Sequence, residues 1–328
     1  MDYESRDTAM IFGIYPGSVA GAADGTMAVG SPDNGQHIKS CLDVLRGHAS
    51  ILLLRAYCIF DDERGPCATD TTAPIDADQF ATLVTPLDVV AQFQSRSSDI
   101  TGYVEFVRNV VDRYGPVANS IQITEEPNVQ GNPTLDGHYA GVIEAMIAGV
   151  GAARSRADEL GLGRLRIGIN TTPLFGDDVG FLRSVTESGG RRFVESLDYI
   201  GLDMFPGVFS QVAFDDLRPA VTGLLRHHRT NVMEPAGLGH LPLRITENGW
   251  PSGTGDSPQI DAAALGSIID TVVHLEEELL IEAYELFSLR DADSSNPDVF
   301  HRFGIVTDDY RPKPAFDVYR QIIAACDT

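Results

Sequence analysis

The chain has 328 residues, 43% of them hydrophobic, and 47 acidic against 24 basic side chains give it a formal charge of −23. That length accommodates two average domains or one large single-core barrel. The composition is that of a globular chain, with no run of about 18 apolar residues that would cross a membrane. The negative surface repels phosphates and anionic lipid, so neither nucleic acid nor an acidic membrane is expected as a partner.

In chain order, short apolar and β-branched runs at 9–15, 51–57, 87–93, 120–124, 165–170, 197–203, 243–247 and 281–288 read as strands. The third is the weakest, because Asp88, Gln92 and Gln94 interrupt it. Between the runs the helical period takes over. Tyr103, Phe106, Val107, Val110, Val111 and Tyr114 fall on one stripe. Comparable stretches lie near 36–48, 138–160, 178–195, 214–229, 260–278 and 314–325. No internal repeat or low-complexity tract interrupts this alternation. Eight strands alternating with about eight helices predict an α/β fold, a single (β/α)8 TIM barrel over residues 1–328, in preference to an open doubly wound sheet.

Loop lengths point to one face of that barrel. The segments after strands, such as 16–35, 59–74 and 290–311, are long and rich in Gly, Ser, Asp and Pro, whereas 115–119 and 161–164 after helices are short. Elaborated strand-to-helix loops place the function at the C-terminal ends of the strands. The long connection 230–241 lies on the opposite face and is read as structural.

Cys41, Cys58, Cys67 and Cys326 do not form the close groupings of a zinc site. They are read as intracellular thiols, with a Cys58–Cys67 bridge as the alternative in an exported chain. The first residues, Met1 to Asp7, lack the basic start and apolar core of a secretory signal. A cytoplasmic location is therefore expected, or secretion if a leader has been removed. Lys39 and Lys313 are the only lysines, which is read as an effect of genome composition.

At the predicted strand ends, carboxylates gather on strands four, six and seven: Glu125 and Glu126, Asp203, and Glu247. Two glutamates reaching one cavity suit the cleavage of an acetal, because one can stay protonated while the other is ionised. A separation of about 5–5.5 Å between them would give net retention, one attacking the sugar carbon and the other protonating the leaving oxygen. Arg55, at the end of strand two, is placed to hold the nucleophile ionised.

The segments Ile123-Thr124-Glu125-Glu126-Pro127-Asn128 and Ile245-Thr246-Glu247-Asn248-Gly249-Trp250-Pro251-Ser252 resemble the acid/base and nucleophile signatures of retaining glycoside hydrolases of clan A. The second is close to the Glu-x-Gly-Trp-Pro-Ser of β-1,3-glucanase-type members. The stretch from Phe303 to Phe316 is similar to the clan's closing segment, so the resemblance covers effectively the whole chain. It implies that Glu126 is the general acid/base, Glu247 the nucleophile and Arg55 the arginine that contacts it. Two departures stand out. Glu125 occupies the place of an asparagine that contacts the sugar 2-hydroxyl, which suggests an unusual or cationic 2-substituent or another glycone pose. Phe205 stands where a tyrosine often bonds the nucleophile, leaving Asp203 or Tyr284 to compensate.

Several of these residues carry two readings. Glu125 is a sugar contact or a salt-bridged neighbour. Asn170 and Asp203 are ligands or strand-end caps. Trp250 stacks on sugar or packs beneath its loop. The expected substrate is a neutral or weakly cationic glycoside, with no cofactor and no metal. One alternative is a metal-dependent barrel isomerase or lyase in which Glu126, Asp203 and Glu247 hold a divalent ion. The other is a carbohydrate-binding barrel without catalysis.

Overall fold

Eight parallel strands close into a barrel: β1 (Ile11–Ile14), β2 (Leu53–Phe60), β3 (Leu87–Phe93), β4 (Ala118–Ile123), β5 (Arg166–Thr171), β6 (Tyr199–Asp203), β7 (Leu243–Asn248) and β8 (Ile281–Leu286). Each pairs with its neighbours in sequence, and β8 closes the ring against β1 with Ile11 opposite Ala283. The computed structural model describes residues 10–62, 77–81, 83, 85–173, 178–209, 212–255 and 257–326. Cys67 and most of the segment 59–74 lie outside these residues.

Helices α1 (Gly35–Arg46), α2 (Asp78–Ala81), α3 (Ile100–Tyr114), α4 (Val142–Glu159), α5 (Asp178–Glu195), α6 (Leu217–His227), α7 (Pro258–His274), α8 (Glu276–Leu279) and α9 (Pro314–Cys326) surround the sheet. The sequence dictates their limits locally. Asp99 caps α3 by accepting the Gly102 amide at 2.9 Å, and the six stripe residues from Tyr103 to Tyr114 are all buried. Ser257 caps α7, with Pro258 at the first helical position, where its missing N–H costs nothing. The predicted helix 260–278 is two helices, α7 and α8, separated at Leu275. The helix expected at 214–229 runs on into a π-helical turn, His228–Met233. There Arg229 donates to the carbonyls of Gly239 at 3.3 Å, Leu241 at 2.8 Å and Leu279. The connection 230–241 is thereby bound to the base of the barrel.

Period-two alternation splits each strand between two environments. Leu54 and Ala56, Val89 and Ala91, Ile121 and Ile123, Ile167 and Ile169, Leu243 and Ile245 are buried in the hydrophobic core with residues of the helices. The intervening residues meet across the lumen, as contacts between non-adjacent strands require. Arg244 of β7 donates to Asp88 of β3 at 3.1 Å and to Ser120 of β4 at 3.0 Å, and lies over the Tyr199 ring of β6 at 4.2 Å. It also bonds Glu282 at 2.6 Å. The polar residues that weaken the third run, Asp88 and Gln92, are thus buried lumen groups of a true strand. Small residues make the room. A Cβ on Gly168 would lie 2.3 Å from the Tyr199 ring.

Arg244 is 1% exposed, so its loss strands the Asp88 carboxylate in the barrel. Arg244→Met, similar in length and without charge, is expected to lower unfolding free energy by about 3–5 kcal/mol in chemical denaturation. A loss below about 1 kcal/mol would show that the lumen pair does not support the fold.

Candidate active site

The site is built on the polar layer above Arg244. Arg55 and Tyr57 are two apart on β2, so both side chains enter the lumen. The buried Arg55 guanidinium spends its donors on several strands at once. Nη2 bonds both Glu125 oxygens at 2.9 and 3.2 Å, and Nη1 bonds Gln122 Oε1 at 3.3 Å. Nε reaches the Tyr57 hydroxyl at 2.8 Å and Glu247 Oε1 at 3.3 Å. From below, Glu285 of β8 lies 3.8 Å from Nη1. The Tyr57 hydroxyl in turn donates to Glu247.

Adjacent residues of a strand point to opposite faces, yet Glu125 and Glu126 both lie within reach of the Glu247 charge. The backbone turns at the end of β4 to allow it: Thr124 has φ 68° and Glu126 φ 42°. Left-handed non-glycine residues cost of order 1–3 kcal/mol each and persist only where surrounding bonds over-determine them. Here Asp136 supplies those bonds. Its buried carboxylate accepts the amides of Phe93 at 2.8 Å and Glu125 at 2.7 Å, and its own amide donates to the Glu125 carbonyl at 3.0 Å. Gly137 is needed beside it, since a Cβ there would lie 2.3 Å from the Val129 carbonyl oxygen. The Glu126 amide donates to Asn170 Oδ1 at 3.0 Å, and its carboxyl is hydrogen-bonded to Thr172.

The remaining residues singled out in the sequence take distinct places. Asn170 and Asp203 are fully buried and bonded to each other, and Asp203 also accepts from Thr246 at 2.6 Å. They form a floor that orients the Glu126 amide. Tyr284 packs on the helix side against Phe12 and Tyr319, and its hydroxyl donates to Asn248 at 2.6 Å. The compensating contact to Glu247 expected of Asp203 or Tyr284 comes instead from the Tyr57 hydroxyl, because Asp203 is engaged by Asn170 and Thr246 and Tyr284 faces away from the lumen. Phe205 joins rings that run from Tyr57 through Tyr15 and Phe287 to Phe303, with Phe209 and Phe300 beyond. Trp250 Nε1 donates to Asp261 at 3.2 Å, and its ring edge lies against Gly207. The indole N–H and that ring edge are thus committed to Asp261 and to the segment after β6.

Lys313 is bound in place. Its ammonium bonds Asp291, Ser252 at 2.9 Å and the Gly304 carbonyl at 2.7 Å, joining the loops after β7 and β8. Among the described residues, no three His, Cys, Asp or Glu side chains form a metal-holding group, and no helix is long and apolar enough to cross a membrane.

The electrostatics follow from burial. Removal from water, then the neighbouring Glu125 charge, push the Glu247 carboxyl up to about 8, against which Arg55 and Tyr57 act. Burial likewise raises Glu125 to about 8, opposed by Arg55. Glu126 is raised well above the usual carboxylate range by burial and then by the charges of Glu247 and Glu125. Asp203 is raised by burial and by Glu247. Sequence reasoning missed Tyr57, Gln122 and Asp136. Period-two spacing from Arg55 and from Thr124 was the available signal for the first two. Asp136, 11 residues beyond Glu125 in a loop, carried none.

No protein-family model matches the chain, and no curated protein matches it in sequence. Solved structures do resemble it. An active-site mutant of the Rhizomucor miehei β-1,3-glucanosyltransferase in complex with laminaritriose is 14% identical, with a TM-score of 0.58 over 93% of this chain and 96% of that one. A family 39 glycoside hydrolase from Bacteroides cellulosilyticus has a TM-score of 0.60 at 14% identity, over 96% of this chain and 63% of that one. A glucosidase from Croceicoccus marinus has a TM-score of 0.60 at 14% identity, over 97% and 71%. At such identities the likeness is one of fold: the closed parallel barrel of this chain is shared with solved glycoside-processing enzymes.

Proposed function

We propose that the chain is a retaining glycoside hydrolase acting on a neutral or weakly cationic glycoside by double displacement. The observation that carries this reading is the convergence of Arg55 and Tyr57 on Glu247, with Glu126 held beside it by Asn170 and Thr172. Donors aimed at one carboxylate select and orient a nucleophile, while the second carboxyl, raised by burial and like charge, retains its proton.

In the first step a Glu247 oxygen bonds the anomeric carbon as the glycosidic C–O bond breaks, and the Glu126 proton passes to the leaving oxygen. In the second, Glu126 as base takes a proton from water, whose oxygen bonds the anomeric carbon and releases Glu247. A sugar hydroxyl in place of water would give transfer, the reaction named for the Rhizomucor miehei neighbour. The carboxyls of Glu125, Glu126, Glu247 and Asp203 around Arg55 disfavour an anionic glycone.

Glu247→Gln is expected to abolish turnover of aryl glycosides; normal turnover in that variant would sink the assignment. Glu126→Gln is expected to slow substrates with poor leaving groups by roughly 10²–10⁴-fold, the usual contribution of a general acid, and to spare highly activated leaving groups. An equal loss for both substrate types would remove Glu126 from that role. Tyr57→Phe deletes a donor to a charged group, worth about 1.5–3 kcal/mol. Steady-state kinetics should show kcat/KM falling by about 10- to 100-fold with the fold unchanged.

A further inference from the structure

We propose that Glu125 is a positioning residue that shares one guanidinium with the nucleophile Glu247, so that it sets the pH at which Glu247 becomes free to attack. The inference rests on the reading of Glu247 as nucleophile.

Three geometric facts carry it. Glu125 is 3% exposed and faces the base of the site, so its carboxylate serves the protein before any sugar. Both of its oxygens take Arg55 Nη2, leaving Glu247 only the longer Nε contact at 3.3 Å. Glu125 and Glu247 are thereby held against the same guanidinium, at 2.9 and 3.3 Å, so two like charges face one cation. An asparagine at this position would supply an amide donor and no competing charge.

The titratable and polar groups facing the pair come from four strands and one loop. Arg55 and Tyr57 of β2, Gln122 of β4, Glu126 and Asp136 of the loop after β4, Asp203 of β6 and Glu285 of β8 all lie around it. Gln122 Nε2 donates to Glu125 at 2.6 Å and so favours the ionised form of Glu125. Arg55 can neutralise one carboxylate of the pair, and the Glu125 anion competes for it. Burial and this like charge both push the Glu247 carboxyl upward.

The sign follows. Glu247 must be ionised to attack, so its protonation forms the acid limb of kcat/KM, and the neighbouring Glu125 charge holds that limb high. Glu125→Gln keeps the size and one acceptor oxygen but removes the charge. It is expected to move the acid limb down by about 1–3 pH units. Gln122→Met, which withdraws the donor that supports the Glu125 anion, favours protonation of Glu125 and moves the same limb in the same direction. This second variant serves if the first does not fold.

The test measures the pH dependence of covalent trapping by an activated 2-deoxy-2-fluoro aryl glycoside, with the modified residue located by mass spectrometry. A Glu247 adduct whose acid limb shifts down in the folded variant supports the proposal. A Glu247 adduct with an unmoved limb overturns the proposal and leaves the nucleophile assignment standing. A folded Glu125→Gln protein that is trapped at no pH also overturns it, because Glu125 would then be needed in the chemistry. Failure of the unmodified protein to form a Glu247 adduct at any pH overturns the nucleophile assignment and the proposal together.

Discussion

Burying carboxyls requires compensation, and in this barrel the Arg55 guanidinium provides it for the site. Glu125, Glu247 and Glu285 come from three strands and share that one cation, with the Gln122 amide and the Tyr57 hydroxyl filling its remaining contacts. Coulomb attraction in a poorly solvated interior is strong, but it repays desolvation only when every donor has a partner. Each nitrogen of Arg55 has a hydrogen-bond acceptor, whereas Glu285 Oε2, 3.8 Å away, is held by charge alone. One layer lower, Arg244 does the same for Asp88 and Glu282. The lumen is therefore an ionic column, where a barrel interior is more often packed with branched apolar side chains.

Strain sits where this column meets the substrate side. An ordinary strand end would present Glu125 or Glu126 to the lumen, one at a time. The left-handed residues Thr124 and Glu126 break that alternation, and Asp136 holds the distorted backbone by three hydrogen bonds. As a result one carboxyl of the adjacent pair turns down to Arg55 and the other turns toward Thr172. Their proton affinities separate for the same reason: Glu125 has a cation against it, and Glu126 has mainly carboxylates. The two adjacent glutamates are thus set apart by environment, with side chains of the same type.

Much of this was legible in the sequence, and the illegible parts have a common cause. The eight strands and the stripe from Tyr103 to Tyr114 follow from local periodicity, which needs no knowledge of the partners. Glu126 and Glu247 stand out in the sequence because they end predicted strands beside distinctive neighbours. Asp88 and Gln92 looked like defects because alternation toward a polar lumen resembles a broken apolar run. Tyr57 was passed over although it lies two residues beyond Arg55, since its role depends on Glu247 arriving from β7. Glu125 was expected to face a sugar at the 2-position; its side chain is folded under the site instead, in the ion pair with Arg55 that was its other reading. The compensating hydroxyl for Phe205 was sought on β6 and β8, while the register of the barrel delivers it from β2. Pairings across the lumen are non-local, and period alone does not encode them.

The central claim, double displacement through Glu247, is tested most directly by the anomeric configuration of the product. Proton NMR of the first-formed sugar, recorded during turnover of an aryl glycoside and before mutarotation, distinguishes the two stereochemical courses. Retention of the substrate configuration is the predicted result. An initially inverted product would contradict the account, because Glu247 would then activate water and form no bond to the sugar.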